Sequence, residues 1–279
     1  MNISTEPTTI RRLTSTWDGD RSQDGRPVVS DDVLDRLSSA TAEQAWQVLD
    51  AAGYPRQFAG GWLRTRDDVT LVGRAVTAQF LPHRPDFDAA IVEAGARSGY
   101  HEAGQQNAWL ISMLEERDVM VADLFGKVKD GTLVGDNLGT AVAARTKAGA
   151  VIDGGVRDFP GLQDLHDVNF FCRGEDPSAI ADLVLAGVNS PIRIGEATVL
   201  PGDVVLGTST GVVFIPAHLA ADVAAASEDI AQRDVFGKMR IADGVYTGTQ
   251  IDVPSWHEQI ESDYQAWLAG SSTEPSPIA

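Results

Sequence analysis

The sequence predicts an α/β domain with a mixed sheet, and three observations carry that expectation. Short apolar runs alternate with helical patterns through the middle of the chain, and strand-like runs then cluster toward residue 215. Gly and Pro punctuate the intervals, as turns between short elements require. Aromatic residues make up only 7% of a chain that is 43% hydrophobic, a mixture that suits an α/β protein better than a leucine-rich bundle. A chain of 279 residues is long enough to bury one large core.

The elements follow in order. Residues 1–28 lack periodicity and read as a flexible arm. Ser30-Asp31-Asp32 is an N-cap signal for a helix carrying Val33, Leu34 and Leu37, and Ala42 to Leu49 is a candidate continuation of it. Gly53-Tyr54-Pro55 ends that helix. A β-rich stretch covers 69–78, a loop covers 81–86, and a helix runs from Asp88 to about Ala96. A strand is expected at 118–123, a helix at about 137–147, and a buried strand at 150–152 followed by the glycine loop Asp153-Gly154-Gly155. Further strands are expected at 168–172, 192–194, 198–200, 204–206 and 212–215. Pro201-Gly202-Asp203 and 208–211 are turns between them, and Pro216 opens a helix to about Ala231. With no repeat or linker, this reads as one domain over 29–235. A C-terminal extension covers 236–279, and its last ten or so residues, rich in Ser and Pro, are expected to be disordered.

Composition excludes several function classes. The formal net charge is −18, so the surface repels phosphate backbones and anionic lipid, and neither nucleic acid nor membrane is an expected partner. No apolar run approaches the ~18 residues of a membrane helix, and 1–23 has no secretory h-region. A single cysteine, Cys172, rules out an intrachain disulfide; with no export signal, a cytoplasmic location is expected. Cys172 lies in an apolar run and reads as a core residue. An enzyme this acidic that acts on carboxylates needs a local cluster of positive groups, backbone N–H donors and a divalent cation.

Two motifs could meet that need. Gly135-Asp136-Asn137-Leu138 opens a helix, and the free N–H groups of a helix start can hold a carboxylate or phosphate; an ordinary capped helix explains the same residues. Asp153-Gly154-Gly155-Val156-Arg157-Asp158 follows a buried strand. There Arg157 could bind an oxyanion with its planar fork and Asp158 could ligate a hard cation, or the pair could be a surface turn with a local ion pair. They form one site only if the helix start and the strand end are neighbours. Asp123, Lys127 and Lys129 could line that site or lie solvated, and the same choice applies to Arg64, Arg66, Arg74 and Arg84. There is no HExxH, CxxC or P-loop lysine, and His83, His101, His166, His218 and His257 show no ligand spacing. Gly207-Thr208-Ser209-Thr210-Gly211 spells a nucleophile elbow, but a strand follows it where an elbow needs a helix.

These segments, with Gly73 to Ala78, Pro201-Gly202-Asp203 and Gly211 to Pro216, resemble the RraA-like family over about 40–230. That family includes the class II 4-hydroxy-4-methyl-2-oxoglutarate/4-carboxy-4-hydroxy-2-oxoadipate aldolases. The resemblance implies a β/β/α sandwich like the swivelling phosphohistidine domain, assembled as a homotrimer or a dimer of trimers. It implies that Gly135, Asp136, Asn137 and Leu138 hold the carboxylate of a small 2-oxo acid, that Arg157 contacts the 2-oxo oxygen, and that Asp158 ligates Mg²⁺ or Mn²⁺. The implied reaction is a retro-aldol cleavage that releases pyruvate, or decarboxylation of oxaloacetate, with Arg157 and Asp136 catalytic. Asp136 would orient the water that accepts the 4-hydroxyl proton. Other members regulate ribonuclease E by binding it without catalysis, and a sugar-acid dehydratase would use the same enolate-stabilising groups. The chain departs from the family pattern in its longer ends and in an expanded 81–130 region, which leaves the substrate open.

Overall fold

In the computed structural model residues 3–100 and 106–271 are described. They fall into two compact units, Met1–Ala224 and Ala225–Ala279. The first contains α1 (Pro7–Leu13), α2 (Asp31–Leu37), α3 (Ala42–Ala51), β1 (Phe58–Ala59), β2 (Leu63–Arg64), β3 (Leu71–Pro82), α4 (Pro85–Arg97), α5 (Gln106–Ser112) and β4 (Asp118–Thr132). It continues with α6 (Asp136–Thr146), β5 (Gly149–Val156), α7 (Phe159–Gln163), β6 (Asn169–Glu175), β7 (Leu183–Val188), β8 (Ile192–Ile194), β9 (Ala197–Val199), β10 (Val204–Gly207) and β11 (Val212–Ile215). Helix α8 (Ala220–Ala242) runs out of it.

The α/β expectation holds. Nine strands form one mixed sheet in the order β1-β11-β10-β3-β4-β5-β6-β2, with β7 paired to β3 beside that path. Strands β3 to β6 run parallel, and the flanking pairings are antiparallel. The period-2 pleat sorts their side chains to two faces. Met120, Ala122, Ala150, Ile152, Phe170 and Cys172 join the core under α4, α5 and α6. Val119, Val121, Val151 and Phe171 instead meet the β8–β9 hairpin. Hairpin, sheet and helices are thus the three layers of a β/β/α arrangement. Burial pushes the Cys172 thiol up to about 12, as befits a core residue.

Several expectations need correction. Residues 3–28 are no free arm. Ile3 and Ile10 are buried, and Arg26 reaches Asp118 at the start of β4, donating through Nη1 at 2.8 Å. Burial works against that guanidinium's charge, but Asp118 and Asp24 more than offset it, so its pKa lies above the ordinary arginine value. Helices α2 and α3 are separate, because Thr41 and Gln44 form a capping box that starts a new helix. Strand β4 runs on to Thr132 by absorbing residues of positive φ at Phe125, Gly126 and Asp130. Asp153-Gly154-Gly155 is not a loop: all three lie inside buried β5. The space a Cβ would need at the two glycines is taken by β4. A methyl on Gly155 would sit 2.5 Å from the Val128 carbonyl, and one on Gly154 would sit 2.9 Å from Leu124 Cβ.

The 235/236 boundary falls inside α8. The second unit has its own small core, with Phe236 of α8 packed on Ile260 and Tyr264 of α10 (Glu258–Ser271). A short α9 (Gly248–Ile251) lies between them in sequence. Residues 272–279, expected to be disordered, lie outside the described residues. No helix among the described residues is long and apolar enough to cross a membrane.

The turn at Pro201-Gly202-Asp203 buries a carboxyl. Asp203 Oδ2 accepts from the Leu200 amide at 2.8 Å. Burial raises its pKa from 3.8 to about 7 against the amides of Leu200 and Ala217, which favour the anion. The native state then keeps a proton that the unfolded chain releases above about pH 4. Stability should fall as pH rises from about 4 to about 7 and level off above that. Urea midpoints of wild type and Asp203→Asn across that range should converge on one side and separate on the other; parallel curves would contradict the assignment.

Candidate active site

The end of β5 is stitched to the segment that leaves β4. Leu133 N–H donates to the Gly155 carbonyl at 3.0 Å, and Arg157 N–H donates to the Val134 carbonyl at 3.0 Å. These bonds put Gly135, the N-cap of α6, directly beside Arg157 and Asp158. The fit is close: a Cβ on Gly135 would stand 2.5 Å from Asp158 Oδ2 and 3.0 Å from Arg157 Cγ and Nε. The structure therefore brings the two sequence motifs together, and side chain and glycine share one space.

Each group is placed by local backbone. Gly135 cannot cap α6 with a side chain. Of the first-turn amides, Asn137 N–H donates to Asp136 Oδ1 at 2.7 Å, and Gly139 N–H goes to the Gly135 carbonyl at 2.8 Å. Asp158 occupies the N-cap position of α7 without a side-chain capping bond, in the left-handed region at φ 53° and ψ 40°, a conformation Asp tolerates better than most residues. It turns the carboxylate back toward Arg157, whose Nε lies 3.4 Å from Oδ2. Both side chains are about half exposed, 46% and 50%, so this ion pair contributes little to stability.

A cleft of about 80 Å³ lies over Gly135 and Arg157; Asp158 stands beside it, against Gly135, and is not part of its lining. Gly135, Asp136, Asn137, Leu138 and Arg157 form one wall, and Asn107 and Ile180 belong to the other. Asn107 was not legible as a site residue. It sits on α5, buried, with its Nδ2 donating to the Leu133 carbonyl at 2.8 Å, and nothing in its sequence surroundings marks it.

Other candidates lie elsewhere. Asp153 points to the opposite face and accepts from Arg173 Nε at 2.6 Å, and that guanidinium stacks 3.6 Å over the Trp62 ring. Asp123 is buried with Oδ1 on the Phe125 amide at 2.9 Å; burial, then the Asp153 carboxylate, raises its pKa. The ammonium of Lys127 donates to the Ala181 carbonyl at 3.0 Å. Arg64, Arg66, Arg74 and Arg84 are paired with Asp67, Asp68, Asp31 and Asp86. None of these residues lines the cleft.

Among the described residues no three His, Cys, Asp or Glu side chains cluster to hold a metal. The donor set still fits one hard cation. Mg²⁺ is commonly held by one or two carboxylates, with waters and substrate oxygens completing the shell. Asp158 supplies an oxygen where Gly135 leaves room, and Asp136 is exposed on the cleft wall.

Comparison with known proteins bears directly on this site. The model of the RraA-like proteins (Aldolase/RraA) matches residues 31–214, more than half of the chain and all of the cleft. The chain belongs to the RraA-like family. Within that family it is similar to RraAS2 of Streptomyces coelicolor, a member of the RNase ES inhibitor RraA protein family. The TM-score is 0.65 at 25% identity, covering 77% of this chain and 98% of that one. An uncharacterized protein of Pseudomonas syringae pv. tomato has the same fold, with a TM-score of 0.65 at 22% identity, covering 89% of this chain and 100% of that one. Among curated relatives, Protein DlpA of Legionella pneumophila is 26% identical over 245 residues, 85% of this chain and 35% of that protein. A candidate 4-hydroxy-4-methyl-2-oxoglutarate aldolase of Halalkalibacterium halodurans is 32% identical over 123 residues, 43% of this chain and 58% of that protein. The match thus spans a third to somewhat over half of these relatives' lengths.

The crowding at Gly135 sets a test. Gly135→Ala should displace Asp158 and Arg157 while costing about 1–3 kcal/mol, as overpacking does. Calorimetric titration with oxalate and Mg²⁺ should show binding lost in a variant that melts cooperatively. Wild-type binding would mean that this contact does not shape the site.

Proposed function

We propose that the protein is a divalent-metal-dependent lyase that cleaves a carbon–carbon bond in a small 2-oxo acid and releases pyruvate. The convergence of the α6 start, Arg157 and Asp158 around Gly135 carries this reading, and the similarity to the Halalkalibacterium protein supports it.

The residues divide the work. The α6 start carries the positive end of the helix dipole and binds the substrate carboxylate. Arg157 stands over the 2-oxo oxygen and stabilises negative charge as it grows there. In the retro-aldol direction the C3–C4 bond breaks, and its electron pair moves into the enolate of pyruvate. The 4-hydroxyl gives up its proton, and the second fragment leaves as an aldehyde or ketone. The enolate then takes a proton at C3. Asp136, exposed at the cleft wall, holds the water that accepts the hydroxyl proton. A divalent cation held by Asp158 supplies Lewis-acid charge at the 2-oxo oxygen when bound. Oxaloacetate decarboxylation needs the same groups, and a dehydratase acting on a sugar acid would too.

A second reading is non-catalytic regulation by binding a ribonuclease. The likeness to RraAS2 over 98% of that chain favours it. Arg157→Lys separates the two. Lysine keeps the charge but not the planar fork, so steady-state pyruvate release should fall about 10²-fold, mainly in kcat. Asp158→Asn should remove the dependence on Mg²⁺ or Mn²⁺ along with activity. Near-wild-type rates in Arg157→Lys, or full turnover after chelation, would contradict the mechanism. A wild type inactive on every 2-oxo acid would move the regulator ahead.

The assembly is proposed to be a homotrimer or a dimer of trimers. Leu81 and Phe125, large apolar side chains exposed on β3 and β4, are suited to contact a second copy. Sedimentation at micromolar concentration should give a trimer or a hexamer; a fully active monomer would overturn this.

A further inference from the structure

The cleft beside Gly135 shares two of its wall residues, Asn107 and Ile180, with a second pocket of about 210 Å³. This neighbour lies in the expanded 81–130 region and the start of β7. Its polar lining comes from His83, Asp88, Gln106 and Asp182, and Phe80 and Leu183 give it an apolar side.

The polar groups are fixed by the fold through a chain of contacts. The Leu185 amide, on β7, donates to Gln106 Oε1 at 2.7 Å. Gln106 Nε2 donates to Asp88 Oδ1 at 2.8 Å. Asp88 Oδ2 then lies 3.7 Å from His83 Nε2, and His83 N–H donates to the Asp182 carbonyl at 2.9 Å. A carboxylate and an imidazole are therefore held at the pocket wall. Neither Arg nor Lys is among the described residues that line it. The nearby Arg84 is paired with Asp86 at 2.8 Å, and the Lys127 ammonium, which keeps its charge, donates to the Ala181 carbonyl at 3.0 Å.

We propose that this second pocket is the subsite for the distal half of the substrate, the part released as aldehyde or ketone, and that it selects an uncharged hydroxylated tail. The substrate class is then a polyhydroxylated 2-oxo acid with one carboxylate, cleaved to pyruvate and a hydroxyaldehyde. This rests on the reading of the Arg157 end as the pyruvyl site. A hydroxyl both donates and accepts, so it can satisfy Asp88 as donor and His83 in either role. A second carboxylate would meet the like charges of Asp88 and Asp182, with no guanidinium among the lining residues and only the Lys127 ammonium, on the Ala181 carbonyl, at the pocket's edge. The chain's −18 charge sharpens that penalty.

Three substrates test this on the full-length protein with Mg²⁺, following pyruvate. They are 4,5,6-trihydroxy-2-oxohexanoate, the diacid 4-hydroxy-4-methyl-2-oxoglutarate, and oxaloacetate, whose released half is a lone carboxylate too short to extend into the second pocket. The trihydroxy acid should have a kcat/KM at least about tenfold above the diacid. Asp88→Asn and His83→Ala should lower kcat/KM for the trihydroxy acid by about 10- to 100-fold, chiefly through KM, as loss of a hydrogen bond to a charged group does. Their effect on oxaloacetate decarboxylation should be at least tenfold smaller. Equal or better turnover of the diacid would overturn the subsite while leaving the lyase reading standing. Equal losses on all three substrates would also overturn it, by reducing His83 and Asp88 to structural roles. If wild type releases no pyruvate from any of them, the lyase reading fails first and the subsite with it.

Discussion

Two backbone hydrogen bonds, Leu133 to Gly155 and Arg157 to Val134, hold the candidate site together. They clamp the exit of β4 onto the end of β5, and that contact exists only because residues 154 and 155 have no side chains. With the β4 backbone lying over them, any larger residue would separate the strands. The separation would carry Gly135 away from Arg157, so the packing of two glycines inside a sheet decides whether a helix start and a guanidinium face the same small volume. Backbone bonds between buried strands are well suited to this task, since they hold position without a flexible side chain.

The site's electrostatics follow from the same geometry. A protein with an excess of eighteen negative charges is a poor environment for a carboxylate ligand. Locally, the α6 start offers partial positive charge and Arg157 a full one. Asp136 and Asp158 oppose both, and a divalent cation would reverse the sign of that opposition. Several other arginines are unavailable, because Arg26, Arg64, Arg66, Arg74, Arg84 and Arg173 are all occupied by carboxylates.

Much of this was legible in the sequence, for reasons that differ by element. Short continuous apolar runs bounded by turn residues placed β10 and β11, and Ser30 marked α2, because such patterns report local geometry. The two motifs were legible as residues, but their meeting was not, since no spacing encodes a hydrogen bond between Leu133 and Gly155. The glycine pair was misread as a loop because glycine serves close packing as readily as turning. The N-terminal segment was misread as an arm because what fixes it, Arg26 on Asp118, joins residues far apart in sequence. Asn107 was invisible for the same reason, and so was the chain from Leu185 through Gln106 to Asp88.

The cleft's two walls also differ in how freely they can change. The Gly135 wall is hemmed in by backbone and by Gly154 and Gly155, where even one methyl group collides. The neighbouring pocket is built largely from side chains on α4, α5 and the segment leading into β7, and only Asn107, through the Leu133 carbonyl, ties it to that clamp. An evolving lineage could therefore exchange residues there to suit new ligands while the rest of the site stayed as it is. The same division offers a protein engineer a natural partition, with a fixed chemical end and a variable recognition end on one scaffold.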